Sequence, residues 1–306
     1  MRDLRRSFGK VDAVQGVTFD IYPGQVVGFI GANGAGKTTT MRMMATLETP
    51  TSGSIHISGH DVVTDPSFVR DKIGWMPDAY GAYPNMTVGE YLDFYARAFG
   101  FKGAERLRRV SEVMDFTDLA SISDRMMNKL SKGMGQRLCL GRTLLHDPEV
   151  MILDEPAAGL DPKARVEFKQ LIRLLAAEGK TIFISSHILS ELAEMCDTML
   201  FIDAGRIVHH GSAESLQHGE SDQTIVDVQV LGDPEAVVKW ASLNAGVHLV
   251  ETRRQGARLR FDHGDEQELA AHLRRMITDG LAVVDFHRES RKLEDAFVEI
   301  LTKIQS

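Results

Sequence analysis

The chain has 306 residues, of which 43% are hydrophobic and 25% are charged, and it carries a formal net charge of −8. This composition is typical of a folded protein with more than one domain, and the acidic balance argues against nucleic acid as the main partner, because surfaces that bind DNA or RNA lean basic. No stretch reaches the roughly 18–20 consecutive apolar residues that span a bilayer. We therefore expect any membrane role to depend on a partner.

The first predicted elements are a strand, a glycine-rich loop and a helix. Residues 26–30 form a short apolar run that predicts a buried strand, and residues 38–47 have helical spacing. The loop between them matches the pattern GxxxxGKS/T, in which backbone N–H groups and the helix dipole surround a phosphate. Lys37 would reach the β- and γ-phosphates, and Thr38 would bind Mg²⁺. The predicted nucleotide-binding residues here are Gly31, Ala32, Asn33, Gly34, Ala35, Gly36, Lys37, Thr38 and Thr39.

The middle of the chain predicts a helical insert followed by strand–helix–strand alternation. Residues 88–146 carry several helical patterns and no convincing strand. Residues 150–153 and 181–184 are apolar runs that predict buried strands, and residues 163–178 between them have helical spacing. This alternation implies a mainly parallel sheet with helices on its faces, so we expect an α/β fold.

Two acidic residues, Asp154 and Glu155, follow the strand predicted at residues 150–153. A carboxylate at the C-terminal end of a strand beside a phosphate-binding loop suits a Mg²⁺-linked group, and we assign that role to Asp154. Glu155 would orient or deprotonate the attacking water. The nearest match to a guanine-reading NKxD segment, residues 128–131, ends in serine, which excludes a GTPase.

Residues 130–137, Leu-Ser-Lys-Gly-Met-Gly-Gln-Arg, resemble the signature segment of ATP-binding cassette (ABC) proteins, in the form common among export-type subunits. Ser131 can cap the helix that follows, so that its hydroxyl and the free N–H groups form an anion site. The resemblance covers residues 1–215. It implies an ABC-type P-loop NTPase fold with a helical subdomain at about residues 88–146, and ATP with Mg²⁺ as the ligands.

Three further residues follow from the family order. His187, after a buried strand, corresponds to the switch histidine that contacts the γ-phosphate and the water. Asp161 ends the D-loop segment Gly159-Leu160-Asp161, and we count it among the nucleotide-binding residues. Phe8 lies where an aromatic ring usually stacks on adenine, and a core phenylalanine is an equally good interpretation.

The chain departs from the family pattern in three places. Asp78 stands where the Q-loop usually has glutamine; it could reach Mg²⁺, directly or through water, but an ionised carboxylate cannot donate a hydrogen bond to the attacking water. The D-loop lacks the hydroxyl often found early in that segment. The family's first strand normally precedes the segment that holds Phe8, and only residues 1–4 remain for it, so we expect a short strand or a start further upstream.

The resemblance implies a head-to-tail dimer in which ATP lies between the P-loop of one subunit and Ser131 and Gly133 of the other, with a homodimer favoured. The dimer would lie on the cytoplasmic face of the membrane and drive a polytopic membrane permease. The permease would dock around residues 78–95, where Tyr80, Tyr83 and Tyr91 are candidate contacts and Phe94 is assigned to the core. The alternatives are a soluble ABC ATPase acting on a nucleic-acid or ribosomal complex, and a weakly hydrolytic regulatory cassette, which only Asp78 favours.

The C-terminal part is predicted to be a separate α+β domain at residues 216–306, after a polar linker at residues 209–223. The histidines of the linker, His209, His210 and His218, have no ligand geometry and favour no metal site. Beyond it the patterns predict the order βαββαβ, with a final amphipathic helix at residues 293–304.

Overall fold

The computed structural model describes residues 1–79, 81, 83, 85–212, 224–262 and 266–288. Cα proximity divides the chain into two compact units, whose described residues lie within 1–212 and 224–288. Each unit has its own cluster of buried apolar side chains, so each has its own hydrophobic core.

The first unit contains both strands and helices. Its elements are β1 (Arg2–Phe8), β2 (Val11–Val17), β3 (Val26–Ile30), α1 (Lys37–Met44), β4 (Ser52–Ser54), β5 (His56–Ile57), β6 (His60–Asp61), α2 (Pro66–Lys72), β7 (Ile73–Met76), α3 (Val88–Ala98), α4 (Gly103–Phe116), α5 (Lys132–Leu144), β8 (Val150–Leu153), α6 (Pro162–Ala177), β9 (Thr181–Ser186), α7 (Leu189–Ala193), β10 (Thr198–Asp203) and β11 (Arg206–Gly211).

A six-stranded sheet in the order β11-β10-β3-β9-β8-β7 forms the centre of this unit. Its pairings are parallel except for the β10–β11 hairpin. Every residue of β3 and β9 is buried, which explains why both strands are continuous apolar or small-residue runs. The predicted α/β fold with a mainly parallel sheet is confirmed.

The C-terminal ends of three neighbouring strands lie at one edge of this sheet. Ile30, the last residue of β3, is paired with Ser186 of β9, and Leu153 of β8 is paired with Ile184. Loops that follow parallel strands therefore start side by side, which is where open α/β sheets bind their ligands. The glycine-rich loop, the acidic pair and His187 all start from this edge.

The glycine-rich loop at residues 31–36 is held tightly between two strands. A Cβ atom on Gly31 would collide with the carbonyl oxygen of Ile202 on β10. Gly36 has φ +107°, and a Cβ atom there would lie 2.5 Å from the carbonyl oxygen of Ala13 on β2. Both positions require glycine because the neighbouring backbone occupies the space of a side chain.

The helical insert contains α3, α4 and α5, as the sequence predicts. Thr87 and Glu90 form a reciprocal capping box at the start of α3. Ser131 caps the start of α5, where its hydroxyl accepts a hydrogen bond from the Met134 N–H at 3.3 Å. Within the described part of residues 88–146, extended pairing is limited to the single bridge between Met126 and Thr87, just before α3.

The structure corrects two expectations about strands. The first strand runs from Arg2 to Phe8 and pairs with both β2 and β4, so Phe8 belongs to it and the strand is longer than residues 1–4. His209 and His210 lie in β11, paired with Phe201 and Leu200, and not in a linker. An edge strand needs few apolar residues, so its polar sequence resembles a loop. His218 lies outside the described residues.

The second unit has the predicted order βαββαβ. Its elements are β12 (Thr224–Val230), α8 (Glu235–Leu243), β13 (Val247–Arg253), β14 (Gly256–Phe261), α9 (Glu266–Thr278) and β15 (Val283–Arg288). The antiparallel sheet has the order β13-β14-β12-β15, the arrangement of a ferredoxin-like α+β unit. Its core includes Val226, Trp240 and Phe261. The helix predicted at residues 293–304 lies outside the described residues.

None of the helices in the described ranges combines the length and the apolar composition needed to cross a membrane.

We expect Gly36→Ala to destabilise the first unit by two effects. A left-handed φ costs a residue with a Cβ about 1–2 kcal/mol, and pressing that Cβ against the Ala13 carbonyl adds about 1–3 kcal/mol. Gly179→Ala is the matched control, because Gly179 also has a left-handed φ of +86° but has no atom within 4 Å of the added Cβ. Chemical denaturation measures the free energy of unfolding of both variants. Equal free energies of unfolding would show that the loop is not confined by β2.

Candidate nucleotide site

Lys37 is the central residue of the site, and its charged side chain is buried with 6% exposed. It opens α1, but its ammonium folds back over the glycine-rich loop. Its Nζ donates hydrogen bonds to the carbonyl oxygens of Gly31 at 2.7 Å and Ala32 at 3.3 Å. The Oε1 atom of Glu155 lies 3.4 Å away. One buried cation therefore connects the glycine-rich loop, the start of α1 and the segment that follows β8.

The N-terminus of α1 is open to an anion. No side chain caps it, and no acidic residue lies in its first turn. The free N–H groups of a first helical turn carry partial positive charge, so this end of α1 suits a phosphate. Gly34, with φ +82°, and Gly36, with φ +107°, give the loop the left-handed turns that bring it round this helix end.

Asp154 is a buried carboxylate surrounded by hydroxyl groups. It is 2% exposed, it accepts a hydrogen bond from the hydroxyl of Ser185 at 2.7 Å, and the hydroxyl of Thr38 lies nearby. Burial raises the pKa of Asp154, the two hydroxyls oppose that rise, and the nearby carboxylates of Glu155 and Asp78 add to it. The predicted magnesium residues Thr38, Asp154 and Asp78 thus lie close enough to interact.

Glu155 joins the lysine to the histidine. Its Oε2 atom lies 2.8 Å from Nδ1 of His187, while its Oε1 atom faces Lys37. Its backbone is left-handed, with φ +48°, which is uncommon for a residue with a Cβ. The structure therefore brings the two predicted catalytic residues, Glu155 and His187, into contact at the phosphate-binding loop.

Three of the predicted nucleotide-binding residues make other contacts in this chain. Ser131 caps α5, and Asp161 caps α6 by accepting a hydrogen bond from the Ala164 N–H at 3.0 Å. Gly133 lies where α5 approaches α6, since a Cβ there would be 3.1 Å from the Cβ of Ala164. Among the hydrogen bonds and ion pairs of the described residues, none connects Ser131 or Asp161 to the glycine-rich loop.

The burial of the aromatic side chains differs in part from the sequence interpretation. Phe8 is 46% exposed, with the Arg6 guanidinium 4.4 Å from its ring centroid, so it is not a core residue. Phe94 is 49% exposed, so its assignment to the core is wrong, whereas Tyr91 is fully buried. The reason is the phase of α3, which turns Tyr91 inward, where Arg142 donates a hydrogen bond to its hydroxyl at 3.2 Å. Tyr83 is exposed, and Tyr80 lies outside the described residues.

The sequence interpretation missed Ser185. This residue is fully buried in β9, and its hydroxyl contacts both Asp154 and the backbone of Glu155. The signal was the polar pair Ser185-Ser186 at the end of an otherwise apolar strand, because a buried hydroxyl needs a hydrogen-bond partner.

Family profiles match the part of the chain that forms this site. The profile described as ABC transporter matches residues 14–158. A second profile, described as AAA domain, putative AbiEii toxin, Type IV TA system, matches residues 124–193. Both ranges include the acidic pair Asp154 and Glu155, and only the first includes the glycine-rich loop.

Solved structures share the fold of the first unit. An ATP-binding subunit of an ABC transporter is 30% identical, with a TM-score of 0.64, over 71% of this chain and 90% of that chain. A dimeric bacterial ABC transporter cassette is 25% identical, with a TM-score of 0.63, over 69% of this chain and 97% of that chain.

Two curated relatives align with almost the full length of the chain. The Nod factor export ATP-binding protein I of Ralstonia nicotianae is 32% identical over 97% of this chain and 91% of its own length. The bacitracin transport ATP-binding protein BcrA of Bacillus licheniformis is 33% identical over 98% of this chain and 95% of its own length. Because identity above 30% extends over nearly the whole of both chains, the protein belongs to the ABC transporter family, as an ATP-binding and ATP-hydrolysing subunit.

Proposed function

We propose that the chain couples ATP hydrolysis, in a head-to-tail dimer, to export by a separate membrane permease. The observation that carries this proposal is the contact between Lys37, Glu155 and His187 at the open N-terminus of α1. In this proposal residues 1–215 form the ATP-binding domain, and residues 216–306 form an accessory domain.

The phosphates of ATP bind where the ammonium of Lys37 now contacts backbone carbonyls. The lysine exchanges the neutral oxygens of Gly31 and Ala32 for the charged oxygens of the phosphates, and a charge-assisted hydrogen bond is stronger than a neutral one. The N–H groups of residues 31–39 surround the same phosphates. Phe8 offers an exposed ring on which adenine stacks.

Thr38, Asp154 and Asp78 are the residues that would hold Mg²⁺. The raised pKa of the buried Asp154 carboxylate, with two other carboxylates nearby, fits a site that a cation completes. When bound, the ion neutralises charge on the phosphates. No group of three or more His, Cys, Asp or Glu side chains in the described ranges could hold a metal alone, which suits an ion that arrives with the nucleotide.

Glu155 acts as the base that orients and deprotonates the attacking water. Its carboxylate is 14% exposed and touches Lys37 on one side and His187 on the other, so its direction is set before ATP binds. His187 holds the glutamate and contacts the γ-phosphate. The intact Glu155–His187 contact also argues against a weakly hydrolytic regulatory cassette.

A second subunit supplies the other half of each ATP site. Ser131 and Gly133 lie at the N-terminus of α5, whose free N–H groups suit an anion. Neither Ser131 nor Asp161 contacts its own glycine-rich loop among the described residues, so we assign Ser131, Gly133 and Asp161 to the nucleotide of the opposite subunit. The likeness to a dimeric bacterial cassette supports this arrangement.

The membrane partner is a polytopic permease that docks on the exposed aromatic residues Tyr83 and Phe94. Buried Tyr91 supports this surface from below through its ring contacts with Tyr83 and Tyr95. The subunit would then lie on the cytoplasmic face of the membrane. The names of the two full-length relatives, a Nod factor export protein and a bacitracin transport protein, support export over action on a ribosomal or nucleic-acid complex.

We expect Glu155→Gln to lower ATP turnover at least about 100-fold, because the amide cannot accept the proton of the water. The variant should accumulate as an ATP-bound dimer, measured by light scattering after size-exclusion chromatography. Glu178→Gln is the control, because Glu178 is an exposed glutamate at the end of α6. A Glu155→Gln protein that binds ATP and stays monomeric at every concentration would contradict the shared site.

Lys37→Ala should weaken ATP binding about 10- to 100-fold, because charge-assisted hydrogen bonds contribute about 1.5–3 kcal/mol. Isothermal titration calorimetry measures the affinity. Lys180→Ala is the matched control, since Lys180 is also mostly buried, with 16% of its side chain exposed, and pairs with Asp147 at 2.6 Å before β9, away from the loop. An unchanged affinity in Lys37→Ala would remove the P-loop assignment.

Tagged Glu155→Gln protein, purified with ATP from detergent-solubilised membranes, should carry a polytopic membrane protein in stoichiometric amount. Adding Tyr83→Ala and Phe94→Ala should remove that protein and leave ATP binding unchanged. Leu174→Ala, at an exposed apolar residue of α6, is the control for surface changes. Recovery only in the soluble fraction with a ribosomal or DNA-bound partner would overturn the transport role and leave the ATPase intact.

A further inference from the structure

A single buried hydroxyl connects the two acidic residues of the site. Ser185 lies in β9 with no exposed surface. Its Oγ donates a hydrogen bond to Oδ1 of Asp154 at 2.7 Å and accepts one from the backbone N–H of Glu155 at 2.9 Å. A hydroxyl has one proton to donate and lone pairs to accept, so both bonds form together.

The backbone of Glu155 needs such a restraint. Its φ of +48° is left-handed, a strained conformation for a residue with a Cβ. The preceding peptide is anchored to the sheet, because the Asp154 N–H donates to the Met76 carbonyl oxygen at 2.8 Å. The next peptide N–H, that of Glu155, is anchored by Ser185. Without that bond the peptide between Asp154 and Glu155 loses this restraint, while the Glu155 carbonyl oxygen still accepts a hydrogen bond from the Ala158 N–H at 3.0 Å.

Rotation of this peptide would move the Glu155 carboxylate. Its two oxygens now face Lys37 at 3.4 Å and His187 at 2.8 Å, and both contacts depend on the direction in which the side chain leaves the backbone. The same hydroxyl orients the Asp154 carboxylate through its hydrogen bond to Oδ1. Ser185 therefore acts on both acidic residues through one atom, and that atom belongs to a fully buried side chain.

We propose that Ser185 is a positioning residue for hydrolysis, which sets the direction of Asp154 and Glu155 relative to each other. This inference rests on the function proposed above for those two residues. A residue that positions the base and does not hold the nucleotide affects kcat and leaves KM and ATP affinity nearly unchanged. A residue that only fills space in the core would show no dependence on its hydroxyl group.

The test compares Ser185→Ala with Ser185→Thr, which keeps the hydroxyl. We expect Ser185→Ala to lower kcat about 5- to 100-fold, because the Asp154 carboxylate and the Glu155 N–H lose their shared hydrogen-bond partner. KM for ATP, measured at saturating Mg²⁺, should change by less than about threefold. Ser185→Thr should recover most of the lost kcat. ATP affinity in the Glu155→Gln background should be the same with and without Ser185→Ala.

Thr117→Val is the matched control for removing a buried hydroxyl. Thr117 is fully buried, and its hydroxyl donates to the Val113 carbonyl of α4 at 2.7 Å. An unchanged kcat in Ser185→Ala, a loss that Ser185→Thr does not restore, or an equal loss in Thr117→Val would each overturn the proposal. Glu155→Gln measured in parallel separates a failure of the proposed function from a failure of the role of Ser185. If it retains full turnover, the proposed function fails, and if it alone loses turnover, only the role of Ser185 fails.

Discussion

The ammonium group of Lys37 lies inside the protein, and a buried charge is stable only where partners surround it. Its partners come from separate parts of the chain: the carbonyl oxygens of Gly31 and Ala32 and the carboxylate of Glu155. A displacement of β8 relative to the glycine-rich loop would leave the cation without its carboxylate. The need to pair this charge therefore links the loop, α1 and the end of β8, and the rest of the site is arranged around that link.

Asp154 and Glu155 form the acidic side of the site, and their negative charges are compensated to different extents. Burial raises the pKa of Asp154 although the Ser185 hydroxyl donates a hydrogen bond to it, so its negative charge is only partly compensated. Glu155, in contrast, touches Lys37 and His187. Two neighbouring carboxylates thus have different environments, which suits different roles: one to complete a cation site and one to act on water.

The sheet of the second unit carries a row of charged and polar residues. One row across its strands joins Glu251, Arg258, Asp227 and His287 by register. Arg253 and Arg258 form ion pairs with Asp227 at 3.4 Å and 3.3 Å. Its core, with Trp240 and Phe261, lies among its own elements. The apolar core and these ion pairs of the second unit are both built from its own strands and helices.

The sequence by itself determined the local motifs, because their chemistry depends on neighbouring residues: the glycine-rich loop with Lys37, the acidic pair after β8 and the cap at Ser131. It also determined the α/β class and the βαββαβ order, since apolar periodicity is a local signal. The tertiary structure decided what depends on contacts distant in sequence. Ser185 meets Asp154 only because β8 and β9 pair in parallel, and His209 is a strand residue only because β10 lies beside it. The packing of α3 buries Tyr91 and leaves Phe94 exposed, although the sequence alone does not distinguish these two aromatic residues.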